Sequence, residues 1–263
     1  MKSKLFILHP GKANYPDIDA YKSYFKDSYE VIDGTLSDYE KITDKSNVIL
    51  WCIMGFYVNK LEAKFIIHDY RSLSVGKFKR FKDFLKNKLN CKPDLRIFLN
   101  QRVKQVMSFN DSIPSCLLDM GVPDWIFEIE PAKDIKGTFC YIGEMSLERG
   151  FDKVLDSFLN NRSKNQTFVL VGTPEPAIVD KYKDQKSLNF TGRVPQKRAL
   201  EIVKACDFAV CFFPYHRPHC YQTPTKLLEY AALGMNIICN DSPSNMLTLK
   251  ELKITAVITD ALI

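Results

Sequence analysis

Residues 223–239, TPTKLLEYAALGMNIIC, combine the signals of a short helix with those of a strand that follows it. Thr223 is a candidate N-cap, and Gly234 suits the position just past the end of the helix. Lys226 and Glu229 are three positions apart, so they share one side of the helix near its positive end. We expect this pair to hold an anion and a hydroxyl group close together.

The rest of the chain alternates short β-type runs with helical patterns in two successive sets. This alternation is typical of parallel sheets with crossover helices, and it predicts an α/β protein with two doubly wound, Rossmann-like domains that face one another across a cleft. A stretch with proline, glycine and charged residues separates the sets, which gives domains at 1–122 and 138–263 and a linker at 123–137. The predicted strands are 5–8, 48–52, 65–67, 96–99, 139–142, 168–171, 208–213, 236–239 and 254–259.

The composition indicates a globular protein with an anionic partner. The 263 residues are 46% hydrophobic and 12% aromatic, which is enough apolar material for real cores. The longest apolar run, 47–57, is too short to span a bilayer, and the first residues do not resemble a signal peptide, so we expect a cytoplasmic protein. Eight cysteines without a C-x-x-C pair indicate reduced thiols, and the net charge of +6 favours a nucleotide, a nucleic acid or an acidic membrane as partner.

An ordered set of segments carries a family resemblance: 141–150 (YIGEMSLERG), 168–172 (FVLVG), 189–194 (NFTGRV) and 223–239. Together they resemble the C-terminal domain of GT-B-fold glycosyltransferases, in the large retaining, family-4-like set known as glycosyl transferases group 1. Many members of that set are hexosyltransferases that build capsular polysaccharide or lipopolysaccharide.

The resemblance implies a GT-B fold and a glycosyltransferase that moves a hexose-type sugar from a nucleotide-sugar donor to a glycan or lipid-linked acceptor. Retention at the sugar carbon, a role in surface polysaccharide synthesis, and the absence of any metal or other cofactor are implied in the same way. The chain departs from the family pattern at Glu144, where an arginine is usual, and at Tyr221, where a second glutamate is frequent. These departures leave a non-catalytic nucleotide-binding module with the same fold as the alternative.

The same match assigns roles in the second half. Arg149 and Lys226 are the candidate catalytic cations on the departing diphosphate, while Glu229 accepts hydrogen bonds from the ribose hydroxyls. The simpler alternatives are solvated surface cations for the first two and a helix-surface glutamate for the third. The implied donor-binding residues are Gly143, Arg149, Gly172, Arg193, Val194, Tyr221, Thr223, Thr225, Lys226 and Glu229.

Weaker likenesses lie in the first half, at 65–71 and 118–122. His68 is expected to end a strand and to face the donor sugar as a third catalytic residue. The candidate acceptor-side residues are Gly11, Lys12, Asp69 and Arg71, although capping of the next segment is the alternative for the last two.

Two further patterns have competing interpretations. The histidines and cysteines around 211–220 are the ligand types of a zinc site, but their spacing matches no familiar zinc module, and we expect a loop that reads the sugar. Residues 77–89 form a basic helix with an aromatic face, which predicts either peripheral contact with an anionic membrane or packing on the protein's own sheet. No nucleic-acid-reading motif is present, so no nucleic acid partner is expected.

Overall fold

The computed structural model describes residues 2–11, 16–53 and 55–259. The chain divides into two compact units, Met1–Met120 and Gly121–Ile263. Within the described ranges, each unit contains one sheet of six strands in which every strand pair is parallel. Two α/β units with parallel sheets are therefore confirmed.

The first unit carries helices on both faces of its sheet. Its strands are β1 (Ser3–Leu8), β2 (Tyr29–Gly34), β3 (Val48–Ile53), β4 (Phe65–Tyr70), β5 (Leu95–Phe98) and β6 (Ser115–Leu117), and its helices are α1 (Pro16–Phe25), α2 (Leu36–Glu40), α3 (Lys79–Leu89) and α4 (Gln101–Met107). The strand order is β2-β1-β3-β4-β5-β6, so the direction of the winding reverses between β1 and β3. Each face of this sheet has its own hydrophobic core, and alternate residues of β1 point into one or the other. Leu5 and Ile7 pack with α1, whereas Phe6 and Leu8 pack with Tyr39 of α2.

The second unit repeats this architecture with a different strand order. Its strands are β7 (Gly137–Ile142), β8 (Phe168–Val171), β9 (Leu188–Gly192), β10 (Cys206–Cys211), β11 (Asn236–Cys239) and β12 (Val257–Ile258), and its helices are α5 (Phe151–Asn161), α6 (Pro176–Tyr182), α7 (Gln196–Lys204), α8 (Thr225–Ala232) and α9 (Pro243–Leu252). The order β9-β8-β7-β10-β11-β12 is that of a dinucleotide-binding sheet, with its reversal between β7 and β10. One face packs on α5 and α6, the other on α7 and α8.

The strands that the alternation predicts are all present, although their ends differ by a few residues. β4 continues to Tyr70, three residues beyond its predicted end, and β10 ends at Cys211 rather than 213. β2, β6 and β9 are absent from the predicted strands, although β9 coincides with the segment 189–194 that carries part of the family resemblance. All three are edge strands, and none shows the continuous apolar run of a strand buried on both faces.

The helix within 223–239 is α8, and its start differs from the prediction. Pro224 occupies the N-cap position, so the assignment of Thr223 as N-cap is wrong. The end agrees, because Gly234 has a φ of 70° just past the helix, a conformation that glycine adopts without strain.

The predicted linker 123–137 contributes to the second unit's core. A 3-10 helix spans Asp124–Glu128, and Ile126, Ile129 and Ala132 are buried against α7 and the sheet. Of the eight cysteines, all of which are free thiols, five are buried. Among the described residues, no helix is long and apolar enough to cross a membrane.

α3 has its polar side inward. Asp83 is 5% exposed and accepts a hydrogen bond from the backbone N–H of Ser74, whereas Phe78, Phe81 and Phe84 are 78%, 57% and 54% exposed. The prediction that the aromatic face packs on the protein's own sheet is therefore wrong. Hydrogen bonds of Asp83 and Asn87 to backbone groups help to attach this helix to its unit.

Candidate functional site

The candidate site of the second unit lies where its sheet reverses winding. β7 and β10 are neighbours, but the chain leaves them toward opposite edges of the sheet. A crevice forms outside the carboxyl ends of two such strands and is the usual ligand site of open α/β sheets. The loop that begins at Gly143 and the N-terminus of α8 both belong to this edge.

A buried hydroxyl fixes α8 against the end of β7. The phenol of Tyr230 is fully buried and accepts a hydrogen bond of 3.1 Å from the backbone N–H of Ile142. Leu227 packs in the same core cluster as Tyr230, and Leu228 is buried as well. These contacts hold the helix N-terminus at the strand ends, where such a terminus favours an anion.

Lys226 lies directly over Gly143. A Cβ atom built on Gly143 would stand 2.5 Å from Lys226 Nζ, so a side chain there would force this ammonium to move, and the Gly143 φ of 135° also favours glycine. Lys226 Nζ donates a hydrogen bond of 2.9 Å to the hydroxyl of Tyr141 and lies 4.2 Å from the centre of its ring. The Tyr141 hydroxyl in turn donates to the carbonyl of Glu144 at 3.0 Å, so the cation is positioned by a buried aromatic residue.

Gly172 supports this geometry from the neighbouring strand. Its φ is 137°, and a Cβ atom there would collide with the carbonyl oxygen of Gly143. Two backbones therefore approach each other closely beneath Lys226. The structure gives Gly172 a steric reason to be glycine.

Glu229 lies almost one turn further along α8 and is buried, with 8% of its surface exposed. Its Oε1 accepts a hydrogen bond of 2.8 Å from Gln196 Nε2. Burial raises the pKa of this carboxyl, and Gln196 and Lys226 oppose that rise. A buried carboxylate with one amide partner retains acceptor capacity for hydroxyl groups.

Arg149 is paired within its own loop. Its guanidinium lies 2.7 Å from the carboxylate of Glu144, and the two side chains are 24% and 58% exposed. Arg149 is thus mostly buried, whereas its partner reaches solvent. An anionic ligand at Arg149 has to share it with Glu144 or displace that carboxylate.

The loop after β10 carries the two histidines. The ring centres of His216 and His219 are 5.4 Å apart. Burial together with the nearby Arg149 lowers the pKa of His219 to about 4. The His219 ring is therefore neutral near pH 7. In the part of the chain that the structure describes, no group of three histidine, cysteine, aspartate or glutamate side chains is arranged to hold a metal.

A buried amide network holds this loop in place. The side chain of Asn245 donates to the carbonyls of Cys211 and Asn240, and the side chain of Asn240 bonds both backbone groups of Phe213. Ser244 donates to the carbonyl of His219 at 2.7 Å. The remaining predicted donor residues lie around the same edge, with Arg193 exposed and with Val194, Tyr221, Thr223 and Thr225 half-buried.

The structure separates His68 from the surface. It lies inside β4 rather than at its end, is 1% exposed, and its Nδ1 has no hydrogen-bond partner among the described residues. Burial and the nearby Arg96 lower its pKa to about 4. The expectation that His68 ends its strand is wrong, because the apolar run continues through Tyr70, and the neutral ring belongs to the core of the first unit.

The acceptor-side candidates are held by their own unit. Asp69 is buried, its Oδ2 accepts a 3.0 Å hydrogen bond from Trp51 Nε1, and burial raises its pKa to about 6. Arg71 pairs with Asp17 at 2.7 Å and donates to the carbonyl of Leu118. The backbone N–H of Gly11 donates to the ring of the preceding His9, and Lys12 lies outside the described residues.

Sequence reasoning missed the side chains that position the site. In the sequence Tyr141 is only part of a predicted strand, and no motif indicates Gln196 or the Asn240–Asn245 pair. Tyr141 carries one local signal, since it is a polar aromatic residue two positions before Gly143, the glycine that follows β7. The partners of the others lie 27 to 34 residues away along the chain, so their roles follow from the folded structure.

Solved structures match the fold over almost the whole chain. Anabaena Alr3699/HepE in complex with UDP and glucose aligns with 11% identity and a TM-score of 0.68, over 100% of this chain and 87% of that one. An alpha,alpha-trehalose-phosphate synthase (UDP-forming) from Burkholderia vietnamiensis aligns with 10% identity and a TM-score of 0.65, over 99% and 89%. At these identities the similarity shows the fold, which is the GT-B fold of glycosyltransferases.

No curated protein matches the chain by sequence. The profile of one protein family does match, over residues 124–261, which is more than half of the chain and includes every donor-binding candidate. The chain therefore belongs to the family Glycosyl transferases group 1.

Proposed function

We propose that this protein transfers a hexose-type sugar, with retention, from a nucleotide-sugar donor to a glycan or lipid-linked acceptor. The observation that carries the proposal is the position of Lys226, at the N-terminus of α8 and directly over Gly143 at the switch point. One helix thus presents a cation and, almost one turn later, the buried carboxylate of Glu229. The spacing suits a diphosphate and the ribose attached to it.

The proposed chemistry needs positive charge on the leaving group. The bond between the sugar and the diphosphate breaks, a bond to the acceptor oxygen forms, and the acceptor proton passes to the departing phosphate on the same face of the sugar. Negative charge that accumulates on the diphosphate is stabilised by Lys226, by Arg149 and by the N–H groups that begin α8. No metal or other cofactor is part of this proposal.

A uridine nucleotide is the first donor to test. Anabaena Alr3699/HepE shares the fold and was solved with UDP and with UDP-glucose. We propose that Arg193 and Val194 meet the base edge and that Tyr221 and the 216–219 loop contact the sugar. His68 is left out of the catalytic set because its ring is buried.

On the acceptor side, we propose that the loop after β1, with Gly11 and Lys12, approaches the acceptor. Synthesis of surface polysaccharide on the cytoplasmic side of a membrane is the role that fits such a transferase. Residues 77–89 hold six basic side chains and one acidic one, and the rings of Phe81 and Phe84 lie stacked and exposed on the outside of α3. Cationic and aromatic side chains on one exposed helix are the combination that binds an anionic bilayer interface.

The membrane contact has a direct test by co-sedimentation with vesicles. We expect binding to vesicles rich in phosphatidylglycerol and weaker binding to phosphatidylcholine vesicles. A Phe81→Ser/Phe84→Ser variant should lose at least about tenfold in affinity for the vesicles, because two rings that become buried in the bilayer interface contribute several kcal/mol to binding. Phe127→Ser is the matched control, because Phe127 is 67% exposed but lies in the second unit. Equal sedimentation of the double variant and the wild type would exclude α3 as the contact.

A non-catalytic nucleotide-binding module is the second candidate. The ion pair between Glu144 and Arg149 favours it, because it places a carboxylate where the departing diphosphate needs unopposed positive charge. Binding measurements alone do not separate the two functions, whereas turnover does.

The deciding experiment follows radiolabelled UDP-sugars in the presence of glycan and lipid-linked acceptors. We expect sugar transfer or slow donor hydrolysis by the wild type and at least about a tenfold loss in Lys226→Ala and Glu229→Ala, since each loses a charged contact. Lys250→Ala, at the exposed end of α9, serves as the control. Nucleotide binding without turnover of any donor would support the module instead, and absence of both would refute the donor site.

A further inference from the structure

A cavity of about 670 Å³ opens in the first unit at the carboxyl ends of β1, β3 and β4, beside α3. Its wall is mostly apolar and includes Ile53, Phe56, Leu73 and Leu85. The volume lies within the range of known ligand pockets. The winding of this sheet reverses between β1 and β3, so the cavity lies at the first unit's own switch point.

The charges at this wall all have one sign. Arg71, Lys82 and Lys86 line the cavity, and no carboxylate is among the described residues that do so. Arg71 is paired with Asp17, and Lys82 Nζ donates to the carbonyl of Val75.

Lys86 differs from these two cations, since its ammonium has no hydrogen bond and no ion pair with any residue that the structure describes. The Lys86 side chain is half-buried, and this burial lowers its pKa, to which the neighbouring Lys82 adds. Asp83, on the same helix, opposes it but is engaged by the backbone of Ser74. A cation of this kind beside apolar surface is stabilised when an anion binds.

We propose that this cavity binds an anionic amphiphile, with the hydrocarbon chain along the apolar wall and a phosphate head group on Lys86. The inference rests on the proposed function in one respect, because it takes the amphiphile to be the lipid part of the acceptor. The exposed aromatic face of α3 lies on the outside of the helix that lines the cavity, so the same helix that touches a bilayer would guide such a lipid inward.

Octyl phosphate, octanol and inorganic phosphate are the probes, each titrated calorimetrically into the full chain below the micelle concentration. We expect octyl phosphate to bind at least about tenfold more tightly than either of the others, because only it offers both the chain and the charge. In Lys86→Met we expect a loss of about tenfold or more, the size of a charge-assisted hydrogen bond. Lys92→Met, an exposed lysine outside the cavity, should bind as the wild type does.

A second variant guards against misfolding. Val75 is 59% exposed at the cavity wall, so Val75→Glu is expected to fold while its carboxylate repels the head group and weakens octyl phosphate binding at least about tenfold. Equal affinity for inorganic phosphate would show an anion site without a chain pocket and overturn the proposal, as would unchanged binding in Lys86→Met. UDP binding, measured on the same preparations, reports on the second unit alone, so a failed cavity and a failed donor site are distinguishable.

Discussion

Removal of the Tyr141 hydroxyl should weaken donor binding through Lys226, without any contact of its own to the donor. In Tyr141→Phe the ammonium loses its 2.9 Å hydrogen bond but keeps the aromatic ring 4.2 Å away. The side chain is 1% exposed and packs on Phe151 with ring centres 4.3 Å apart, so the substitution should leave the core intact.

The expected magnitudes follow from these contacts. Lys226→Met removes a charged contact to the diphosphate, which costs about 1.5–3 kcal/mol, or about 10- to 150-fold in Kd. Tyr141→Phe only loosens the cation, so about 1 kcal/mol is expected, or about fivefold. In the double variant the loss should equal that of Lys226→Met alone, which corresponds to a coupling energy of about 1 kcal/mol.

The assay is calorimetric titration of UDP and UDP-glucose into the four proteins of this double-mutant cycle. Tyr182→Phe is the matched control, because it deletes another buried tyrosine hydroxyl of the same unit, at the end of α6, which donates to Asp156 of α5 at 2.6 Å. Its Kd should be that of the wild type. If the Tyr141→Phe loss is as large in the Lys226→Met background as in the wild type, Tyr141 does not act through Lys226 and the reasoning fails.

Three further outcomes are expected from the same structure. Gly172→Ala should cost about 3 kcal/mol or more of unfolding free energy in urea, because its Cβ meets the Gly143 carbonyl at a φ of 137°, whereas Gly121→Ala, with open space around it, should change little. Between pH 7 and pH 5 the wild type should lose about 2 kcal/mol more free energy of unfolding than His68→Phe, because burial lowers the pKa of His68 to about 4 and so favours the neutral ring in the folded state. The contribution of the neutral ring to stability is complete above about pH 6.5 and falls as the pH drops. An equal loss of stability in the two proteins, measured by urea unfolding at both pH values, would contradict this. Burial also raises the pKa of Glu229, so UDP affinity should begin to fall, as the pH decreases, at a higher pH than an ordinary glutamate would cause. Over the same range the stability of the nucleotide-free protein should rise, because the folded state binds the proton more tightly than the unfolded state does. In Glu229→Gln this pH dependence of UDP affinity should disappear.

The alternation of apolar runs predicted the strands that lie inside the two sheets, because those strands are buried on both faces and appear as continuous apolar segments. It missed three edge strands: β2, whose residues are mostly half-buried, β6, which has three residues, and β9, where Asn189 and Thr191 interrupt the apolar residues. Gly234 located the end of α8, since a left-handed residue after a helix has a local signature. The start was misplaced by one residue because Thr223 and Pro224 both suit an N-terminus.

Candidate site residues were predictable where the motif is local and unpredictable where the contact is long-range. Lys226 and Glu229 lie on one helix, and their closeness to each other follows from their spacing of three residues. The position of Lys226 over Gly143, by contrast, joins segments more than 80 residues apart. The ion pair between Glu144 and Arg149 depends on the path of a loop, which has no sequence period to indicate it.

The sequence by itself determined the α/β class, the two-part division and the family, because these depend on patterns of adjacent residues. The segment 223–239 also determined that a lysine and a glutamate would share one helix. Tertiary structure alone decided what surrounds that pair: Tyr141 and Gly143 beneath the lysine, and Gln196 beside the glutamate. Within the other unit, it decided that Lys86 lines a cavity. It also decided that the aromatic side of α3 faces outward, since amphipathic periodicity defines two faces of a helix but not which one is buried. That choice depends on the hydrogen bonds of Asp83 and Asn87 to distant backbone groups, which form only when the chain has folded.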